Sequence, residues 1–232
     1  MQTDGKLLSV VIPMYNEEPT VGNVIRRLKF VLSETGVRYE IIVVDDCSQD
    51  RSVKVAVENC VRVLKLKQHM GKGYVLRAGF EKAEGDIIAT IDSDGSHLPE
   101  ELPLLVLPVV QGKADLVIGS RFSTQTSATS SRNQAGNKLF NFLIRILTGA
   151  SISDSQSGYR VMTRKVLESL HLLSGEYEIE SEMLVKIVKG KFRIRELPIT
   201  FEQRTYSRSG IDPIVDGFKI LVSILSAFLR RG

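Results

Sequence analysis

A mostly parallel, doubly wound α/β sheet with helices on both faces is the fold this sequence predicts, and three observations predict it. Short apolar, β-branched runs alternate with segments of helical period through the first half of the 232 residues, the pattern of repeated strand–helix units. The runs are close to continuously apolar, as strands covered on both faces are. Three of them end in polar or acidic residues, at Pro13–Glu17, Asp45–Asp46 and Asp92–Asp94, and open α/β sheets take their ligands at the carboxyl ends of strands.

The elements follow in order. Leu7 to Ile12 predicts a first buried strand, ended by Pro13. Val21, Val24, Ile25, Leu28 and Leu32 recur at helical spacing, so Thr20 to Leu32 predicts an amphipathic helix that Gly36 breaks. Glu40 to Val44 predicts the second strand, Val53 to Cys60 a helix and Val61 to Leu66 a short strand. Gly71-Lys72-Gly73 reads as a flexible loop before a helix from Tyr74 to Ala83. Asp86 to Ile91 is a strand, Pro99 to Gln111 a helix despite Pro103 and Pro108, and Asp115 to Gly119 a strand. Residues 123–131 are all Ser, Thr, Gln and Ala, which predicts a long loop, lid or linker, flanked by Arg121 and Arg132. Asn137 to Leu147 predicts a helix, Asp154 to Arg160 a polar turn, Arg164 to Leu170 and Glu178 to Val188 two helices, and Phe192 to Leu197 a strand. Gln203 to Gly210 is a second basic loop. Ile214 to Leu229 predicts an amphipathic C-terminal helix whose main stripe is Ile214, Phe218, Leu221, Val222, Leu225 and Leu229, with Ile220, Ile224 and Ala227 off it. Its apolar surface is wider than one core face needs. A packed helix, a helix lying on a membrane with its arginines at the headgroups, and a dock for a transmembrane subunit all fit. The division expected is a domain over 1–210 and this helix over 211–232.

Composition narrows the functions. Net charge is +4, which suits an anionic ligand or membrane surface. No basic block interleaved with aromatics points to nucleic acid. Cys47 and Cys60 read as reduced thiols of a cytosolic protein. The N-terminus enters a strand almost at once, so no secretory signal is expected, and no run reaches the ~20 apolar residues of a spanning helix. The glycine loop lacks the G-x-x-x-x-G-K-[ST] spacing, and no G-x-G-x-x-G follows the first strand. Asp92 and Asp94, one residue apart at a strand end, repel each other unless a proton, a base or a cation lies near. Mg²⁺ takes a few carboxylate oxygens and completes its shell with phosphate and water. A metal–nucleotide site and a turn with solvated acids both fit D-x-D alone. Arg121 reads either as a ligand or as a strand-end ion pair, Arg160 as a brace for Asp154, Tyr15 as core or site, and Glu180 and Glu182 as solvated helix acids.

Taken together, Val10-Val11-Ile12-Pro13-Met14-Tyr15-Asn16-Glu17, Val44-Asp45-Asp46-Cys47-Ser48, Gly71-Lys72-Gly73, Asp92-Ser93-Asp94, Gly119-Ser120-Arg121 and Ser157-Gly158-Tyr159-Arg160 form an ordered set. The set resembles the inverting family 2 glycosyltransferases with the Rossmann-like GT-A fold, and among them the dolichyl-phosphate mannose synthases. The resemblance implies transfer of a hexose, mannose from GDP-mannose preferred, to a polyprenyl (dolichyl) phosphate, with Mg²⁺ or Mn²⁺. A UDP-glucose-type donor and a non-catalytic nucleotide-sugar-binding module are the alternatives. By the same resemblance Pro13, Tyr15, Glu17, Val44 and Asp46 hold the nucleoside. Asp92, Ser93 and Asp94 meet the diphosphate and its metal, and Arg204 reaches the donor. Arg121 and Arg132 receive the acceptor phosphate, and Asp94, Arg121 and Arg132 carry catalysis. Ser96 stands where the family usually has Gln as a metal ligand, so a hydroxyl, a water or His97 would substitute. Gly136 stands where the acceptor site often has Ser, and Ser209-Gly210 where the family has Ser-Lys. The implied location is the cytoplasmic face of a membrane, bound peripherally or through a small transmembrane subunit.

Overall fold

The computed structural model describes residues 5–122, 131–202, 206 and 215–230, with the backbone alone for 131–135. Its centre is one seven-stranded sheet of β1 (Leu7–Met14), β2 (Arg38–Asp45), β3 (Arg62–Lys65), β4 (Ile87–Thr90), β5 (Leu116–Ser120), β6 (Arg160–Thr163) and β7 (Ile194–Pro198), in the spatial order β3-β2-β1-β4-β6-β5-β7. Every neighbouring pair is parallel except the two that β6 makes, with β4 and β5. The doubly wound, mostly parallel expectation therefore holds, with one reversed strand inside it.

Two apolar layers cover the sheet. Successive strand residues face opposite sides, so Leu8, Val10 and Ile12 enter one core and Val11 the other. The first core is closed by α1 (Val21–Thr35), α2 (Ser52–Glu58) and α4 (Leu102–Val110), through Val24, Ile25, Leu28, Ala56 and Leu105. The second is closed by α3 (Lys72–Lys82), α5 (Ser131–Thr148), α6 (Arg164–Glu168), α7 (Ile179–Lys189) and α8 (Val215–Leu229). Gly36 ends α1 with φ 66°, the left-handed turn that glycine adopts at least cost. A 3₁₀ turn, Pro99–Glu101, leads into α4, where Pro103 sits in the first turn and costs no backbone bond.

Two expectations need correction, and the buried side of α8 becomes clear. Lys72 is not in a flexible loop: α3 starts there, capped by Gly71 at φ 97°. Residues 160–163 are a central strand rather than the end of a turn, so β6 escaped the periodicity reading. In α8 the off-stripe residues Ile220, Ile224 and Ala227 are the buried ones, whereas Phe218, Val222, Leu225 and Leu229 face outward. The main stripe is thus the outer surface of the helix and the sparser face is the inner one. α8 packs on α7 and α5 within the second core.

Candidate active site

The carboxyl ends of β1, β2 and β4 open into a cleft of about 620 Å³, lined among others by Pro13, Tyr15, Glu17, Asp46, Asp92, Ser93 and Asp94. Seven residues expected from sequence thus meet in one place. Hydrogen bonds between neighbouring loops make the rim. Asn16 N donates to Ser48 Oγ (2.9 Å) and Gln49 N to Asn16 Oδ1 (2.8 Å), tying the loop after β1 to the loop after β2. Ser93 Oγ donates to Pro13 O (2.7 Å) and joins the end of β4 to the end of β1. Asn16 holds φ 52°, a left-handed turn that Asn tolerates.

One end of the cleft suits a nucleobase. Tyr15 is 42% exposed, so the core-packing alternative is excluded. Its ring stacks on His69 with centroids 4.3 Å apart. Asp46, almost fully buried beneath them, accepts from Met70 N (2.7 Å) and Gly71 N (2.8 Å) and lies 2.9 Å from His69 Nδ1. Sequence carried no signal for His69. The Val44 side chain is buried in the second core, so any contact it makes with a nucleoside goes through its backbone.

The other end gathers charge. Asp94 Oδ1 accepts both the backbone N (2.9 Å) and Oγ (2.6 Å) of Ser96, an Asx-type turn that fixes the carboxylate. The Ser96 hydroxyl, 1% exposed, is therefore behind Asp94 and spends its proton on it. Lys72 Nζ sits 2.8 Å from Asp92 Oδ1 and 2.8 Å from Glu180 Oε1. These two carboxylates raise the Lys72 pKa well above its ordinary value, overcoming the opposing effect of burial. Gly158 lies against them: a Cβ there would stand 2.8 Å from Asp92 Oδ2 and 3.0 Å from Lys72 Nζ. His97 Nδ1 is 3.8 Å from Asp92 Oδ2. The His97 ring is buried between Tyr159 and Phe201, neither of its nitrogens has a hydrogen bond among the described residues, and burial lowers its pKa. Among the described residues no group of three side chains could by itself cage a metal. Asp92 and Asp94 are oxygen donors of the kind a hard divalent cation takes when phosphate and water complete its shell, and the Lys72 ammonium beside Asp92 marks the charge such a cation would meet.

Arg121 ends β5. Its Nε and Nη2 clasp Asp154 at 2.7 and 2.8 Å, its backbone N bonds the same carboxylate, and Asn137 of α5 donates to Asp154 at 2.8 Å. The ion-pair alternative for Arg121 is thus present in the structure, and its guanidinium also lies 5.2 Å over the Phe201 ring. Burial raises the Asp154 pKa, but the Arg121 bonds and charge outweigh it and hold the carboxyl below its usual range. Arg160 does not brace Asp154: it is buried, and its fork donates to the carbonyls of Ser157, Glu180 and Ser155. Glu180 and Glu182 are not solvated; each is 4% exposed. The side chain of Arg132, at the start of α5, and Arg204 lie outside the described residues.

Residues 9–170 match the family described as Glycosyl transferase family 2. Among curated proteins the chain is similar to a low-salt glycan biosynthesis hexosyltransferase of Haloferax volcanii, 33% identical over 215 residues, covering 91% of this chain. It spans about half (51%) of that relative's length. It is also 31% identical, over 95% of both chains, to a UDP-N-acetylglucosamine–dolichyl-phosphate N-acetylglucosaminyltransferase of Methanococcus voltae. Among solved structures it is similar to glucosyl-3-phosphoglycerate synthase from Mycobacterium tuberculosis in complex with Mn²⁺, UDP and phosphoglyceric acid. That likeness has a TM-score of 0.77 at 23% identity, over 99% of this chain and 81% of that one, and it establishes the GT-A fold. The family match takes in all three strand ends that build the cleft, and the chain accordingly belongs to glycosyl transferase family 2.

Proposed function

We propose that the chain is an inverting transferase that moves a hexose from a nucleoside diphosphate sugar to a polyprenyl phosphate at a membrane surface, with Mg²⁺ or Mn²⁺. The observation that carries the reading is the single cleft in which an aromatic ledge and a buried acid at one end face Asp92 and Asp94 at the other. Tyr15 and His69 would take the base. Ser93, Asp92 and Asp94 would take the diphosphate and its cation, which when bound neutralises the departing diphosphate. A phosphate monoester has its second pKa near ~6, so the acceptor is a nucleophile at neutral pH and needs no strong base. Arg121, pre-aimed by Asp154, together with Arg132 would present that phosphate for in-line attack, and one displacement inverts the anomeric carbon. The acceptor class is supported by the dolichyl phosphate named for the Methanococcus voltae relative.

Between GDP-mannose, which the motif resemblance prefers, and a UDP-sugar, Asp46 favours the second. A carboxylate offers about four acceptor positions, and Met70 N, Gly71 N and His69 occupy three. One position suits the single imide N–H of uracil better than the paired N–H groups of guanine. The Methanococcus voltae relative is named for a UDP-sugar.

Among the described residues no helix is long and apolar enough to cross a membrane. Phe218, Val222, Leu225 and Leu229 of α8, and Leu139, Phe142 and Ile146 of α5, are exposed, on helices that pack together and carry Lys138, Arg145 and Lys219, with Arg230 just past α8. This surface would rest on the cytoplasmic face of the membrane, and a small transmembrane subunit is the other occupant it fits. The test is a donor screen: radiolabelled UDP-N-acetylglucosamine, UDP-glucose and GDP-mannose, each with polyprenyl phosphate and Mn²⁺ or Mg²⁺. Organic-extractable label from a UDP-sugar is expected. Label from GDP-mannose alone would restore the mannose reading, and donor binding without transfer would make the chain a binding module.

A further inference from the structure

Glu180 is a costly residue for a core. It is buried at the first turn of α7, its Oε1 is bound to Lys72, and its Oε2 has no hydrogen-bond partner among the described residues. Burying a carboxylate is expensive unless it is fully paired, so this one contributes little as a stability device. What it does supply is charge. The Asp92–Lys72 pair alone would be neutral, and Lys72 stands against the carboxylate that would meet the cation. With Glu180 the three groups carry one net negative charge, and the ammonium has a second seat. Lys72 is held there by its surroundings: α3 begins at this residue, Tyr74 N donates to Gly175 O (3.2 Å), and a Cβ on Gly73 would collide with Ser174 O. Of the other buried cations, Arg160 has its Nε, Nη1 and Nη2 committed to three carbonyl oxygens and Arg121 is clasped by Asp154.

We propose that Glu180 is a positioning residue for the cation subsite: by sharing Lys72 with Asp92 it lessens the ammonium's hold on Asp92 and so favours a divalent cation there. The inference rests on the reading of Asp92 and Asp94 as the cation's ligands. It requires opposite effects from the two ends of the bridge. Glu180→Gln leaves Lys72 wholly on Asp92 and weakens cation binding. Lys72→Gln removes the competing ammonium and strengthens it. A residue that merely holds the fold together would weaken binding in both cases.

The probe is Mn²⁺ alone, without nucleotide, with free Mn²⁺ read by electron paramagnetic resonance, and each variant's melting recorded beside it. The expected results are a Kd raised about tenfold or more in Glu180→Gln, lowered by a similar factor in Lys72→Gln, and near wild type in the double variant, since one charge of each sign within a few ångströms shifts a divalent ion by at least that much. Shifts in the same direction, or none, with the wild type binding Mn²⁺, overturn this inference alone. Failure of the wild type to bind Mn²⁺ overturns the metal reading and the inference with it. If Glu180→Gln does not fold, Lys72→Gln decides: Mn²⁺ binding unchanged or weaker than wild type overturns it.

Discussion

Gly158→Ala separates the cleft's chemistry from the fold's stability. The added Cβ would sit 2.8 Å from Asp92 Oδ2, 3.0 Å from Asp92 Oδ1 and 3.0 Å from Lys72 Nζ. All three are the far ends of flexible side chains, so the backbone just before β6 need not move. Relieving the 2.8 Å contact to an ordinary separation of ~3.4 Å displaces the carboxylate by roughly 0.6 Å. The stability cost is that of modest overpacking, about 1–3 kcal/mol. The functional cost is larger, because Asp92 swings away from where the diphosphate and cation are expected, and a displacement approaching 1 Å at a reacting centre costs on the order of 10²-fold. Denaturant unfolding and turnover of a nucleotide sugar on polyprenyl phosphate, measured on the same preparation, check this. A small drop in stability with activity down about 10²-fold is expected. Wild-type turnover in a folded Gly158→Ala protein would refute the placement of Asp92 in the reaction. Gly73→Ala is the contrasting control, since its Cβ would stand 2.3 Å from the Ser174 backbone oxygen, and there the fold itself should fail first.

Three further outcomes follow from the site's contacts. Tyr15→Ala removes the ring stacked on His69, and a lost base stack is worth about 1–3 kcal/mol; calorimetry should show UDP affinity falling about tenfold or more while acceptor KM stays near wild type, and unchanged UDP affinity would contradict the ledge. Asp154→Asn removes the carboxylate charge that the buried Arg121 guanidinium clasps, at a cost of roughly 3–5 kcal/mol. Because the folded pKa of Asp154 is depressed, its contribution is fully present above the unfolded value of ~3.9 and is lost as pH falls through the folded value. Wild-type stability in urea should therefore decline below about pH 4 more steeply than that of Asp154→Asn, and parallel pH profiles would remove Asp154 from the acid limb. Phe142→Glu combined with Phe218→Glu, both on the exposed face, should abolish sedimentation with vesicles containing anionic lipid while leaving UDP binding intact; undiminished vesicle binding would move the membrane contact elsewhere.

Sequence exposed those parts of the site that obey local rules. Apolar runs ending in Asp45–Asp46 and Asp92–Asp94 located the cleft, because a buried strand must be apolar along its length and may become polar only at its end. The second half of the site obeys no such rule. Arg160 to Thr163 forms a central strand that opens on a fully buried arginine, a residue type that pattern reading assigns to solvent. It is tolerated because three carbonyls take its fork, those of Ser155 and Ser157 in the segment just before β6 and that of Glu180 in α7, and no sequence pattern displays them. Glu180 and Glu182 misled for the same reason: acids in a helix's first turn read as solvated, yet one is buried by Lys72 and the other by the backbone of Leu173 and Ser174 together with Lys186. In α8 the stripe richest in large apolar residues faces outward and the sparser Ile220, Ile224 and Ala227 face inward, since a closely packed neighbour such as α7 needs only a narrow contact. These four departures share a cause. Each depends on contacts that only the folded chain makes: Glu180 with Lys72 of α3, Arg160 with Glu180 of α7, Glu182 with residues 173–174 and Lys186, and the inner face of α8 with α7; those of Lys72, Glu180 and Arg160 converge on the charged end of the cleft. A buried charge far from any such convergence would signal packing alone; here Lys72 and Glu180 are joined to Asp92, which is why the Mn²⁺ titration of their variants, with its required opposite signs, distinguishes a working charge from an inherited one.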